Sequence, residues 1–305
     1  MDRRLFLLGL TAASATPAFA RPRPPAAPPV FAGQNALEKL EARVGGRLGA
    51  FVLDPAGARG FGWRAGERFA QCSTFKLSLA ALALREIDAG RLNGAEVLPY
   101  SVLDILPNSP VAEAHAGKAD LTILGMIEGA QTTSDNLCAN LVLRRLGGPA
   151  ALTQFWRDMG DTTSRLDRYE TDLNAVAPGE VQDTTSPEAI ARSAATFLLG
   201  PVLSPASRQT LLGWMMATQT GLARIRAGVP PSWRAGDKTG TALIPGYSAK
   251  LNDIAVLYPP TGNPLVVTAF YEPPGDVQDM RPQDQAVLAE VGRIAADAKS
   301  WKPRR

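Results

Sequence analysis

A run of apolar residues with one lysine inside it, Gln71 to Leu84, restricts the fold of this chain more than any other segment. The spacing predicts a helix over residues 73–87 whose apolar side chains occupy every face, so we expect it to be buried on all sides. Lys76 lies inside this run, and a buried ammonium needs polar partners because its desolvation is costly. Ser73, three residues earlier, would share its face of the helix. The two residues therefore form a candidate nucleophile beside a candidate base.

Length and composition indicate a globular protein. The chain has 305 residues, of which 45% are hydrophobic and 20% are charged. These values are typical of one large or two small domains with a sizeable core, and they exclude fibrous and disordered classes. The formal net charge of +3 is too small to indicate a nucleic-acid partner. No segment reaches the roughly 18 apolar residues that a membrane-spanning helix needs.

The N-terminus has the pattern of an export signal. Arg3 and Arg4 precede a short apolar stretch, and Ala18-Phe19-Ala20 is typical of a cleavage site. The paired arginines are those of the twin-arginine route. We therefore expect a signal peptide over residues 1–20 and a Pro-rich leader over residues 21–34. The mature protein should be periplasmic or secreted, without stable membrane association.

Strand patterns occur near both ends of the chain, and helical patterns lie between them. These patterns predict an α/β (α+β) fold with an antiparallel sheet of about five strands and flanking helices. The sheet domain would be discontinuous, built from residues 35–66 and 219–305, with an all-α domain inserted at 67–218. The predicted strands are 48–53, 60–64, 233–241, 253–258 and 265–271, and the predicted helices are 35–44, 73–87, 121–130, 135–146, 149–159, 187–199, 205–218 and 283–299.

Three short motifs each occur once, in contexts that suit them. Ser73 to Lys76 (S-x-x-K) begins the buried helix, Ser134 to Asn136 (S-D-N) begins another helix, and Lys238 to Gly240 (K-T-G) lies on a late strand. Each residue alone has a structural explanation, such as a helix cap for Ser73. The ordered set in matching contexts outweighs those explanations. A fourth feature is the stretch 162–185, which lacks a clean period and is long enough to indicate a functional loop.

Together the motifs and the loop resemble class A β-lactamases. S-x-x-K, S-D-N and K-T-G are shared by those enzymes and the penicillin-binding proteins. Residues 165–183 are similar to the omega loop of the class A enzymes, with Glu170 followed by Asn174. The resemblance covers nearly the whole mature chain. It implies the β-lactamase/transpeptidase-like fold and a serine hydrolase that opens the β-lactam amide bond of penicillins and cephalosporins.

The resemblance implies a catalytic role for each motif residue. Ser73 would form the acyl-enzyme, and its proton would leave either to Lys76 or, through a water molecule, to Glu170. Ser134, near Lys76 and Lys238, would relay a proton to the departing lactam nitrogen. Glu170 would then activate the water that cleaves the ester.

The same resemblance implies the substrate contacts. Asn136 would bind the amide side chain of the substrate, and Lys238 its carboxylate. The backbone N–H groups of Ser73 and Thr241 would form the oxyanion hole. The remaining implied contacts are those of Arg224 and Thr239 with the carboxylate, Gly240 within the K-T-G strand, Asn174 with the water, and an Arg168–Asp183 pair that closes the loop.

The cysteines and the histidine are not expected to take part in chemistry. We expect Cys72 and Cys138 to be buried apolar residues. Some relatives that hydrolyse carbapenems pair the cysteine before the nucleophile with one two positions after K-T-G, but here that position is Ala242. His115, the only histidine, is expected in a loop. With so few ligands, we expect no metal and no cofactor.

Several properties stay open at the level of sequence. Thr171 follows the loop glutamate where many relatives have proline, so the isomer of that peptide bond is undetermined. Asn108 replaces a common aromatic residue, and the segment 241–251 is longer than usual, which leaves the substrate spectrum and inhibitor susceptibility open. The alternatives are a D,D-peptidase that deacylates slowly, or a non-hydrolytic protein that binds β-lactams or peptidoglycan. We expect a monomer with a small-molecule substrate.

Overall fold

The computed structural model describes residues 31–302. Its strands are β1 (Arg47–Asp54), β2 (Arg59–Trp63), β3 (Phe69–Ala70), β4 (Thr184–Thr185), β5 (Arg234–Ala242), β6 (Lys250–Tyr258) and β7 (Leu265–Glu272). Its helices are α1 (Ala32–Val44), α2 (Phe75–Asp88), α3 (Pro110–His115), α4 (Ile123–Thr132), α5 (Asn136–Arg145), α6 (Pro149–Asp158), α7 (Pro187–Leu198), α8 (Pro205–Ala217) and α9 (Pro282–Ala296).

The main sheet has five strands in the order β2-β1-β7-β6-β5. Every neighbouring pair is antiparallel, and the register places Ala50 opposite Ala269 and Lys238 opposite Ile254. Strands from the two ends of the chain thus pair side by side. The predicted α/β class, with an antiparallel sheet of five strands, is confirmed.

Both faces of the sheet are covered, because successive side chains of a strand point to opposite faces. Along β6, Leu251 and Ala255 pack into one apolar cluster, which includes Leu37 of α1 and Leu288 of α9. Ile254 lies in the other cluster, with the buried residues of α2 and of the helices around it. The central strands are therefore apolar on both sides, unlike strands with one solvated face.

The structure differs from the sequence predictions at several ends. The helices predicted between residues 121 and 218 are confirmed, with ends shifted by at most two residues. The short helix α3 and the two-stranded sheet of β3 and β4 were not predicted. Helix α1 begins at Ala32, inside the predicted leader, and α9 ends at Ala296 before a 3₁₀ turn. The predicted signal peptide lies outside the described residues.

One further difference concerns the segment that carries Ser73. Ser73 does not lie in the α-helix itself: it belongs to a 3₁₀ turn, Cys72–Thr74, and α2 begins at Phe75. None of the helices formed by residues 31–302 is long and apolar enough to cross a membrane.

Asp135, the middle residue of S-D-N, joins α5 to α3. Its Oδ1 caps α5 by accepting from the Cys138 N–H at 2.8 Å. Its Oδ2 accepts from the backbone N–H groups of Val111 and Ala112, each at 2.9 Å. The carboxylate is fully buried. It therefore fixes the position of Ser134 and Asn136 on either side of it.

We predict that Asp135→Ala lowers the free energy of unfolding by about 2–4 kcal/mol, because it removes a helix cap and leaves buried N–H groups without acceptors. Urea unfolding followed by circular dichroism measures the loss. Asp104→Ala is the matched control, since Asp104 caps an exposed 3₁₀ turn through the Ser101 N–H. We expect that variant to lose about 1 kcal/mol or less, and equal losses in the two variants would contradict the assigned role.

Candidate active site

The turn that carries Ser73 is held against the sheet by backbone contacts. Asn252 of β6 donates to the carbonyl oxygens of Ala70 at 2.8 Å and Gln71 at 3.2 Å. Gly240 of β5 lies against the same turn: a Cβ atom there would stand only 2.8 Å from the Gln71 carbonyl oxygen. The glycine of K-T-G is therefore required by close approach of the strand to the turn.

Lys76 is fully buried, one turn into α2, and has polar partners on several sides. Its Nζ donates to Ser73 Oγ at 3.0 Å, to the Ser134 carbonyl oxygen at 2.8 Å and to Asn136 Oδ1 at 2.5 Å. It also lies 2.9 Å from Glu170 Oε1. The buried lysine that the sequence singled out thus contacts the Ser73 turn, the S-D-N segment and the loop that carries Glu170.

Glu170 is also buried, and its carboxylate faces the serine. Ser73 Oγ donates to its Oε1 at 2.9 Å, and Asn174 Nδ2 donates to its Oε2 at 2.7 Å. Burial alone would raise the pKa of this carboxyl. The charge of Lys76 and the hydrogen bonds outweigh burial and hold the pKa of Glu170 below its ordinary value. The group is therefore an ionised acceptor at neutral pH.

Ser134 lies between two lysines. Lys238 Nζ donates to Ser134 Oγ at 3.0 Å, and Lys76 Nζ lies 3.5 Å from the same oxygen. Ser134 has a φ of 64°, a left-handed conformation that is unfavourable for a non-glycine residue and is typical of functional turns. Burial, together with the neighbouring charge of Lys76, lowers the pKa of Lys238 well below its ordinary value.

Arg224 lies at the other end of the cleft and is almost completely buried. Its Nη1 donates to the carbonyl oxygens of Gly240 at 3.0 Å and Asn252 at 2.7 Å. Its Nη2 donates to Thr241 Oγ1 at 2.6 Å. The guanidinium is therefore fixed behind the K-T-G strand.

The cleft has a volume of about 260 Å³. Lys76 and Lys238 do not line it themselves and reach it through the hydroxyls of Ser73 and Ser134. Thr220, whose Oγ1 lies 2.6 Å from Thr239 Oγ1, was not predicted from the sequence. The residues that line the cleft are Ser73, Asn108, Ser134, Asn136, Glu170, Asn174, Thr220, Arg224, Thr239, Thr241 and Met280.

The loop that carries Glu170 is closed by an ion pair near its ends. Arg168 Nε lies 2.5 Å from Asp183 Oδ2, and Asp183 Oδ1 accepts from the backbone N–H groups of Asp167 and Arg168. The Glu170–Thr171 peptide bond, left open by the sequence, is cis. The two predicted members of the loop pair are therefore in contact.

Asn140 is a positioning residue that the sequence analysis missed. Its Nδ2 donates to the Glu170 carbonyl oxygen at 2.8 Å, and its Oδ1 accepts from the Glu170 N–H at 3.0 Å. It lies on α5, one turn after Asn136, and is buried. The sequence offers one signal for this role: Asn140 is a polar residue on the buried face of α5, four residues after Asn136 of the S-D-N motif.

The cysteines and the histidine lie outside this network. Cys72 and Cys138 are free and buried among apolar side chains, as expected. Burial raises the pKa of Cys72 to about 12. His115 ends α3, where a loop had been expected, and its Nδ1 lies 2.7 Å from Asp120 Oδ1. It is not among the residues that line the cleft.

We predict that Asn140→Ala slows turnover at least about tenfold, because the loss of two buried hydrogen bonds releases the backbone of Glu170. Hydrogen exchange of the loop amides measures the release of the backbone, and steady-state kinetics measure the effect on turnover. Thr153→Ala is the control, since Thr153 Oγ1 makes the equivalent reciprocal pair with Leu166, at the start of the loop and away from Glu170. A smaller effect for Asn140→Ala than for Thr153→Ala would contradict this role.

Comparison with known proteins identifies the family. The profile of the Beta-lactamase enzyme family matches residues 33–298. Beta-lactamase L2 of Stenotrophomonas maltophilia is 43% identical over 257 residues, which cover 84% of this chain and 82% of that protein. The carbapenem-hydrolyzing beta-lactamase KPC of Klebsiella oxytoca is 40% identical over 261 residues, 85% of this chain and 86% of that protein.

Solved structures agree with the sequence comparison. An ancestral class A beta-lactamase is 48% identical with a TM-score of 0.80, covering 86% of this chain and 98% of that one. A putative class A beta-lactamase, PenP, from Rhodopseudomonas palustris is 44% identical with a TM-score of 0.81, over 87% of this chain and 98% of that one. The chain therefore belongs to the class A serine β-lactamases.

Proposed function

We propose that this protein hydrolyses the β-lactam amide bond of penicillins and cephalosporins through an acyl-enzyme on Ser73. One observation carries the proposal: Ser73 Oγ is hydrogen-bonded at once to the Glu170 carboxylate at 2.9 Å and to the Lys76 ammonium at 3.0 Å. A hydroxyl between an ionised acceptor and a cation is an activated nucleophile.

The position of the cleft supports a site between two parts of the chain. Ser73, Ser134 and Glu170 come from residues 67–218, whereas Thr241 and Arg224 come from residues 219–305. We propose these segments as the two domains, the second completed by residues 35–66. Ligand sites occur preferentially at such interfaces.

In the acylation step, Ser73 Oγ attacks the lactam carbonyl carbon. Its proton leaves to Glu170, which already accepts its hydrogen bond. Lys76 offers a second route from the same oxygen when its amine is neutral, because an ammonium can accept no proton. The carbonyl oxygen becomes an oxyanion, held by the backbone N–H groups of Ser73 and Thr241. Donors of this kind lower the barrier by about 3–4 kcal/mol each.

Collapse of this intermediate breaks the C–N bond. Ser134 gives its hydroxyl proton to the departing nitrogen, and Lys238, which donates to Ser134 Oγ, stabilises the oxygen left behind. Lys76, 3.5 Å from the same oxygen and 2.9 Å from Glu170, gives one proton to Ser134 and takes up the proton that Glu170 accepted, so that Glu170 is ionised again. The serine is then esterified and the lactam ring is open.

Deacylation requires water. Glu170 and Asn174 would hold a water molecule at the cleft, and Glu170 would take its proton as the oxygen attacks the ester carbonyl. The ester C–O bond breaks, Ser73 recovers its proton and the product leaves as a carboxylic acid. The hydrogen bond from Asn174 Nδ2 to Glu170 Oε2 at 2.7 Å supports this pairing.

Substrate would be held by the groups on both sides of the nucleophile. The carboxylate of the drug would lie against Thr239 and Thr241, with the positive charges of Lys238 and Arg224 behind them. Asn136 would donate to the substrate amide: one Nδ2 hydrogen is directed to the Pro107 carbonyl oxygen at 2.7 Å, and the amide has a second. We further propose that the protein acts as an exported monomer.

Steady-state assays with a penicillin, a cephalosporin and a carbapenem test the proposal directly. We expect turnover of the penicillin and the cephalosporin. The assay with the carbapenem shows whether the substrate spectrum extends to that class. Absence of turnover with all three would overturn the proposed function in favour of a peptidase or a binding protein.

We predict that Glu170→Ala accumulates an acyl adduct on Ser73. Acylation stays measurable because Lys76, without its carboxylate partner, can lose its charge and accept the Ser73 proton as a neutral amine. Deacylation falls roughly 10²–10⁴-fold through loss of the general base. Intact-mass spectrometry after mixing with a penicillin detects the adduct. Asp172→Asn, which changes an exposed carboxylate of the same loop, is the control and should turn over normally. Rapid turnover by Glu170→Ala would contradict the role of Glu170 as the general base of deacylation.

We predict an alkaline limit of kcat/KM below pH 10.5, the ordinary pKa of lysine, because burial and Lys76 lower the pKa of Lys238 and activity needs its charge. Lys238→Arg should reduce activity but move this limit upward by more than about one pH unit, since a guanidinium keeps its proton. A pH–rate profile measures both. Lys118→Arg, at an exposed site, is the control. An unmoved limit in Lys238→Arg would assign the titration to another group.

A further inference from the structure

A second cavity, of about 440 Å³, shares no lining residue with the catalytic cleft. Three segments contribute most of its walls, together with Arg47, Thr184 and Glu272. Arg68 and Ala70 come from the segment at β3, residues 176–180 come from the far part of the omega loop, and Lys250 begins β6. The cavity therefore borders the loop that carries Glu170.

Lys250 is only 3% exposed although it lines this cavity. Its Nζ donates one hydrogen bond, to the Ser248 carbonyl oxygen at 2.9 Å. Throughout residues 31–302, no carboxylate forms an ion pair with it. An ammonium has three donors, so a buried lysine in this state has unused hydrogen-bonding capacity.

Arg68 is the second cation of the cavity without an acidic partner. Its Nη1 donates to the Thr163 carbonyl oxygen and to Thr184 Oγ1, each at 2.9 Å. Among the described residues it pairs with no carboxylate. A guanidinium has five N–H donors, which leaves others to bind an oxyanion.

Each acidic residue that lines the cavity has an arginine partner. Glu67 and Glu272 both pair with Arg47, at 3.1 and 3.3 Å. Glu180 pairs with Arg168 at 3.5 Å. The three carboxylates are thus ion-paired, whereas Lys250 and Arg68 have no carboxylate partner among the described residues. The unused donors of these two cations therefore offer hydrogen bonds to an anion.

We propose that this cavity binds a small oxyanion, a phosphate or carboxylate group, between Lys250 and Arg68. Its occupation would stabilise the far part of the omega loop, because residues 176–180 form one wall. Val176 and Ala70 also pack together with Cys72, the neighbour of Ser73. The site is separate from the catalytic cleft and does not depend on the proposed reaction.

Inorganic phosphate at constant ionic strength is the probe. We expect isothermal titration to show saturable binding to the wild-type protein, phosphate to raise its melting temperature, and hydrogen exchange to slow at residues 176–180. Lys250→Met, which removes the charge and keeps the length of the side chain, should weaken binding at least about tenfold, the effect of losing a charge-assisted hydrogen bond. Lys118→Met, at an exposed site, is the matched control and should bind as the wild type does.

Arg68→Gln is the second variant, for the case that Lys250→Met fails to fold, and it should also weaken binding. Absence of phosphate binding to the wild type would overturn the proposal. So would binding that is unchanged in both variants, or binding that a β-lactam displaces, since that result would locate the phosphate in the catalytic cleft. These readouts measure binding, so they stay separate from any failure of the proposed hydrolysis.

Discussion

The contact between Lys76 and Glu170 is the interaction on which the rest of the site depends. Both side chains are buried, and their charged atoms are 2.9 Å apart. Either charge alone would be costly there, because removing one partner of a buried pair leaves an uncompensated ion or forces the remaining group into its neutral form. The packing of the omega loop against helix α2 therefore depends on both charged groups being present. Ser73 Oγ is hydrogen-bonded to both of them, at the point where the loop meets the helix.

Because the two charges must be held in contact, many of the surrounding polar side chains form hydrogen bonds with the backbone near them. Asp135 fixes the turn before α5, Asn140 holds both backbone groups of Glu170, and Asn252 holds the nucleophile turn. Each satisfies buried backbone donors or acceptors that have no partner in a regular helix or sheet. The catalytic atoms come from loops and turns, and amide and carboxylate side chains on rigid elements give those loops a single position.

The sequence predicted the sheet, most helices and the residues that meet at the cleft, because periodicity and short motifs are local signals. Ser73, Ser134 and Glu170 lie in three separate segments, but the order and context of their motifs predicted that they belong to one site. Asn140 and Thr220 were not predicted, since their importance arises only from contacts with residues distant in the chain. For the same reason, the pairing of β3 with β4 could not be found: two residues carry no period.

The charged forms of Glu170 and Lys238 affect the stability of the fold in opposite directions. The depressed pKa of Glu170 means that its carboxylate stabilises the fold above the unfolded-state pKa, and this contribution is lost as pH falls through the folded-state pKa. Lys238 also has a depressed pKa, but it is a cation, so its charged form is the one that burial penalises. Between its folded and unfolded pKa values the unfolded chain binds more protons, and stability rises with pH. The proposed chemistry needs Lys238 in its charged form, which burial makes destabilising. The positive charge beside Ser134 therefore lowers the stability of the folded protein.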